Sequence, residues 1–195
     1  MKIKLLNTMT AFLLVVIVSI SAHSMNEVLT KQGAEQLSEI VVEGVAYTDS
    51  QLSCLADNIY FEARGQGKVG WLAVAFVTVN RMNDSRYPNT ICKVVHQAPT
   101  RENWKKNGKY YPIRNQCQFS WYCDGKADDI HNAELYGEIY SFVERIMTPE
   151  YQIDYIDITD GATHYHADYV TPAWAETKTK TAEIGDHIFY RWETK

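Results

Sequence analysis

The stretch TDSQLSCLADNIYFEARG, Thr48 to Gly65, decides the fold, because it reads as one amphipathic helix with a single residue out of place. Thr48 and Gln51 have capping-box spacing at its start, and Gly65 is a C-terminal stop signal. Its apolar stripe is Leu52, Leu55, Ala56, Ile59 and Ala63. At about 100° per residue, Glu62 projects within roughly 20° of Leu55, so a carboxylate points into the stripe and away from water. It also lies in the last turn, where the negative end of the helix dipole disfavours ionisation. Desolvation and dipole both push its pKa upward, as a general acid working near neutral pH requires. The same placement also fits a carboxylate at the edge of the core, paired with a cation such as Arg81.

Downstream, residues 68–81 predict a second helix that is apolar nearly all round. Val69, Leu72, Ala73, Phe76 and Val77 lie on one side; Trp71, Val74, Ala75 and Val79 lie on the other. Such a helix belongs at the centre of a domain. A short helix is expected over 90–96, and a long one over 129–147, ended by Thr148-Pro149. The aromatic and polar run Gln116 to Asp124 reads as extended, with Asp124-Gly125 as a turn. Residues 161–190, rich in Tyr, Trp, His and Phe, read as loops with short strands. The fold class expected is α+β, mainly helical, with a small β element.

Upstream, Lys2 and Lys4 precede the apolar run Ala11 to Ile20 and then Ala22-His23-Ser24, the layout of a secretory signal peptide over residues 1–24. The run is about half of what a membrane span needs, so membrane association is expected only if this segment is retained. Its removal takes away two lysines and no acids, moving the net charge from −5 to −7. Residues 25–46 read as a leader or linker, and residues 47–195 as one domain of about 150 residues with a single core. No basic stripe suggests nucleic acid, since the run Trp104 to Lys109 reads as a solvated loop. Cys54, Cys92, Cys117 and Cys123 make an even count in an exported chain, which favours two disulfides over metal ligation. Three pairings are open, and a direct Cys117–Cys123 bridge requires the residues between to turn.

Several motifs in order resemble the SleB-type spore-cortex-lytic and cell-wall hydrolase family. They are Cys54-Leu55-Ala56, Ile59 to Gly65, Gly70 with Ala73-Val74-Ala75, and Val79-Asn80-Arg81. Tyr87 to Cys92, Cys117 to Trp121 and Cys123-Asp124-Gly125 follow, and then Ala162 to Ala167, Val170, Pro172-Trp174-Ala175 and Ile184 to Tyr190. The resemblance covers nearly all of residues 52–191 and implies a lysozyme-like, lytic-transglycosylase-type domain acting on peptidoglycan, with Glu62 as the catalytic acid. The chain departs from the family at Gln66 and Gly67, where Glu-Pro is frequent.

Glycosidic cleavage needs a proton for the leaving oxygen and a means of completing displacement at the anomeric carbon. A lytic transglycosylase manages with one carboxylate, because the muramic acid's own hydroxyl attacks. Asp124, Asp160 and Asp168 are the acids embedded in the aromatic segments, and each also reads as a turn or capping residue. Phe119, Ser120, Tyr165, His166 and Trp174 are expected to line the sugar groove, with Gln118 as a further polar contact. Three rival readings stand beside this one. His164, His166, Asp168 and His187 would serve a metal-dependent N-acetylmuramoyl-L-alanine amidase; Cys117 or Cys123 with His166 would make a cysteine peptidase; and the groove without chemistry would be a wall-binding module. The expectation carried forward is a monomeric periplasmic or secreted glycosidase, with peptidoglycan as its partner and no metal or organic cofactor.

Overall fold

The computed structural model describes residues 47–103, 105–148 and 156–193, all within a compact unit that runs from Val45 to Lys195. The signal peptide and leader expected over 1–46 lie outside the described residues. Among the described residues no helix is long and apolar enough to cross a membrane.

Helix α1 spans Asp49–Ala63, with the Thr48 hydroxyl accepting from Gln51 N at 3.4 Å. Its stripe is buried as the periodicity predicts: Leu55, Ala56, Ile59 and Ala63 are all in the core. Helix α2, Gly67–Asn83, explains its own composition by standing between two apolar clusters. Trp71, Val74 and Ala75 pack with α1, while Ala73 and Val77 meet Ala162 and Phe189 on the opposite side. Helix α3, Ile91–Val95, is tied to α1 by the Cys54–Cys92 bridge. Helix α4, Ala133–Ile146, buries Ile139, Val143 and Ile146 against the same core. It starts later than the apolar pattern suggests because Asn132 caps it, accepting from Leu135 N at 3.0 Å.

Two features depart from expectation. A two-stranded antiparallel hairpin, β1 Thr100–Glu102 and β2 Tyr110–Pro112, brackets the run that reads as a solvated loop, with strands that the sequence does not announce. Its connection holds the lysine-rich run. Residues 116–124 are not extended. Cys117 and Cys123 are bridged with Cα atoms 6.0 Å apart, and Ser120–Cys123 form a turn of 3-10 helix. Six extended steps would separate those Cα atoms by about 20 Å, so the covalent link overrides the β propensity of the aromatic residues.

The C-terminal part forms a three-stranded antiparallel sheet in the order β3-β5-β4: β3 is His164–Ala167, β4 Thr179–Ile184 and β5 His187–Arg191. A short 3-10 helix, Ala173–Thr177, joins β3 to β4. The α1–α2 corner is pinned to the β4–β5 turn through Gln66. Its Nε2 donates to Asp186 Oδ2 at 2.8 Å and its Oε1 accepts from Asp186 N at 3.0 Å. A glutamate could not donate to Asp186 in this way, so the departure from the family motif has a local partner. Gly185, at φ +57°, leaves room for that amide, which a Cβ would strike.

Candidate active site

Glu62 stands where three parts of the fold converge. The last turn of α1 carries it beside Phe61; the last turns of α2 bring Arg81; and β3 presents Tyr165 from the other side. Together with the disulfide loop and the segment after β3 they enclose a cavity of about 620 Å³. Phe61 and Trp121 stack at 4.6 Å and form its apolar wall, and Tyr169 and Val170 form an exposed rim. Trp121 is oriented by a buried chain of hydrogen bonds. Its Nε1 donates to Asn58 Oδ1 at 3.0 Å, Asn58 Nδ2 donates to Thr78 Oγ1 at 3.1 Å, and Thr78 donates to Val74 O at 3.0 Å.

The Tyr165 hydroxyl donates to Glu62 Oε2 at 2.8 Å. This leaves the second oxygen without a partner among the hydrogen bonds of the described residues. Burial raises the Glu62 pKa above the ordinary carboxylate range, and the Tyr165 hydrogen bond and Arg81 charge pull it back only in part. Arg81 is 4 % exposed. Its Nε donates to Thr163 O at 2.7 Å, and its guanidinium lies 4.8 Å over the Phe119 ring. Among the described residues it makes no ion pair with Glu62, so the edge-of-core pairing is replaced by a longer-range field.

Of the residues singled out in the sequence, Glu62, Ser120, Gln118, Tyr165 and His166 border the cavity. Phe119 and Trp174 do not. Phe119 is 2 % exposed beneath Arg81, and Trp174 packs on His164, His166 and Tyr190. Strand alternation accounts for Trp174, since Tyr165 faces Glu62 while His164 and His166, on the other face of β3, pack on Trp174, His166 reaching only the cavity's border. Asp124 borders the cavity as a turn residue, its Oδ1 accepting from Lys126 N at 2.8 Å. Asp160 is instead paired with Arg191 at 2.6 Å. Sequence reasoning missed Phe61, Trp121, Asp128, Asp129 and His187 as cavity residues. Phe61 was detectable, being next to Glu62 on the same helix end; the others are assembled by tertiary contacts that leave no local pattern.

The His164/His166 pair does not resemble a metal centre. His166 Nδ1 lies 2.9 Å from Ala167 O and Nε2 lies 3.1 Å from Tyr190 Oη, so both ring nitrogens are engaged. Burial, with Arg81, Lys178 and Arg86 nearby, lowers the His164 pKa to about 3, an environment that also repels a metal cation. Among the described residues no three His, Cys, Asp or Glu side chains converge as ligands. The cysteine-nucleophile reading fails because all four cysteines are bridged.

The model of a family described as Cell Wall Hydrolase matches residues 65–190, beginning three residues after Glu62. The spore cortex-lytic enzyme of Oceanobacillus iheyensis is 35% identical over 144 residues, covering 73% of this chain and 42% of that protein. The spore cortex-lytic enzyme of Halalkalibacterium halodurans is 26% identical over 144 residues, covering 73% of this chain and 35% of that protein. The chain thus spans less than half the length of these relatives. Among solved structures, the catalytic domain of the germination-specific lytic transglycosylase SleB from Bacillus anthracis superimposes with a TM-score of 0.50 at 24% identity, covering 75% of this chain and 98% of that one. The fold is therefore that of a lysozyme-like, mainly helical α+β domain.

Proposed function

We propose, from the premise that the chain belongs to the cell wall hydrolase family, that it cleaves the glycan strand of peptidoglycan between N-acetylmuramic acid and N-acetylglucosamine, as a lytic transglycosylase. The observation that carries this reading is the one-sided hold on Glu62: Tyr165 occupies Oε2, and burial favours the protonated form. The proton then sits on Oε1, from which it passes to the glycosidic oxygen as the bond to the anomeric carbon breaks. The carboxylate left behind is stabilised by the Tyr165 hydrogen bond and the Arg81 charge. It next accepts the proton of the muramic acid C6 hydroxyl as that oxygen attacks the anomeric carbon, which regenerates the acid and consumes no water. The Phe61–Trp121 wall offers aromatic faces to sugar rings. Ser120 and Gln118 are its polar contacts, while His166, both ring nitrogens already engaged, supports the border of the cleft. Such a target places the action in the cell envelope, with residues 1–24 as export signal and residues 47–195 as a monomeric catalytic domain.

Mass analysis of the products of purified peptidoglycan tests this. Muramic ends lacking one water are expected, and Glu62→Gln lowers turnover roughly hundredfold or more while the protein still binds the wall. Near-normal turnover by Glu62→Gln overturns the assignment. Reducing-end products from the wild type would instead make it a hydrolase, with Asp124, Asp128 or Asp129 as the carboxylate that activates water.

A further inference from the structure

Between α3 and the disulfide loop the chain makes an excursion that the core does not use. Among the described residues neither hydrophobic cluster contains anything from 97 to 116, and Tyr110 and Tyr111 are 63% and 52% exposed. From 100 to 112 the sequence carries Arg101, Lys105, Lys106 and Lys109 against Glu102 alone, a local surplus of positive charge in a chain of net −5. The Glu102 carboxylate is taken up in the hairpin, accepting from Gly108 N at 2.9 Å. Among the described residues Arg101, Lys106 and Lys109 make no ion pair. A cavity of about 810 Å³ lies here, bordered by Arg101, Asn103, Lys105, Asn107, Lys109 and Tyr111.

The hairpin is also wired to the Glu62 cleft. Ile113 N donates to Pro99 O at 2.9 Å, which closes its base. Gln118 N donates to Gln97 O at 3.0 Å, and Asn115 N donates to Cys123 O at 3.0 Å. Both ends are thereby anchored to the loop that walls the cleft.

We propose that this hairpin is a docking arm for the free carboxylates of peptidoglycan stem peptides, holding the polyanionic polymer beside the cleft. The proposal rests on reading the cleft as a peptidoglycan site. The rest of the chain is net negative and repels such a polymer, so a local positive arm decides where it can approach. The two asparagine amides add hydrogen-bonding groups suited to carboxylates and peptide units. A bilayer fits less well, because adjacent strand residues face opposite sides and Tyr110 and Tyr111 cannot form one apolar inserting face.

The test is cosedimentation of the full chain with native peptidoglycan and with the same material after its carboxyls are converted to amides, at low and high salt. Vesicles containing phosphatidylglycerol run alongside. Binding to native wall is expected to weaken about tenfold on amidation, and similarly on raising salt. The variant Arg101→Gln/Lys106→Gln/Lys109→Gln, checked for folding by circular dichroism, is expected to lose most of that preference. The amidation arm needs no variant, so it decides the matter even if the triple substitution misfolds. Equal binding to native and amidated wall overturns the proposal, as does a folded triple variant that keeps the wild-type preference. Hairpin-dependent binding to vesicles with no preference between the two walls overturns it in favour of an anionic membrane. Charge-dependent binding without any glycan products sinks the cleft reading and leaves the arm supported; glycan products with charge-blind binding do the reverse.

Discussion

Glu62 shows how a single side chain ties stability to pH. Its folded pKa is raised, chiefly by burial, so the fold prefers the neutral acid. That preference contributes fully below the unfolded pKa, near 4.3, and is lost as pH rises through the folded value. Glu62→Gln removes the loss. Its melting temperature relative to wild type is therefore expected to climb as pH is raised from 4 toward neutrality, and a flat difference across that range would contradict the buried-acid picture. Tyr165→Phe works in the opposite direction to Arg81 and Tyr165 themselves. It deletes a hydrogen bond that stabilises the carboxylate, so the Glu62 pKa should move further up. The alkaline limb of the activity profile is expected to shift to higher pH while the rate at the optimum falls about tenfold, since the acid is no longer oriented. A limb that stays in place would remove Tyr165 from this role.

The two disulfides divide labour between stability and site. Cys54–Cys92 closes a separation of 38 residues and joins two core helices, so its removal should cost about 4 kcal/mol by loop-closure entropy. Cys117–Cys123 closes only 6 and should cost about 2 kcal/mol. Yet the smaller bridge shapes the loop that carries Gln118, Ser120 and Trp121 into the cavity. Paired Cys→Ala variants, compared by urea midpoint and by activity at a temperature where both are folded, should show the first bridge dominating the midpoint and the second dominating activity. Elements differ in how well the sequence announced them, for the same reason. The apolar stripe of α1 and the all-round apolarity of α2 repeat over several turns, and Glu62 is visible as a break in such a repeat. The hairpin strands are three residues each, too short for alternation to register. The 117–123 turn is set by a covalent link, against the extended preference of Phe119, Trp121 and Tyr122. Phe119 and Trp174 look like groove residues by composition alone. Only the strand pairing of β3 and the stacking of Arg81 on Phe119 reveal that they back the cavity from behind.

At the scale of the whole molecule, the site is built from distant parts of the chain. Tyr165 and Glu62 are 103 residues apart in sequence, and Gln66 and Asp186, which pin the neighbouring corner, are 120 apart. The α1–α2 pair, by contrast, is local. Long loops must close before these distant contacts stabilise anything, whereas local helices form with little such delay. Time therefore enters the design. When the denatured chain with intact disulfides is returned to folding conditions, helical circular dichroism should recover before activity does, and simultaneous recovery would count against this order. A chain interrupted before β3 would carry Glu62 on its helix and lack the hydroxyl that aims it. On this order the Glu62 site is complete only once the last strands have docked, and the Gln66–Asp186 clasp, which spans the same interval, is expected among the last contacts to form.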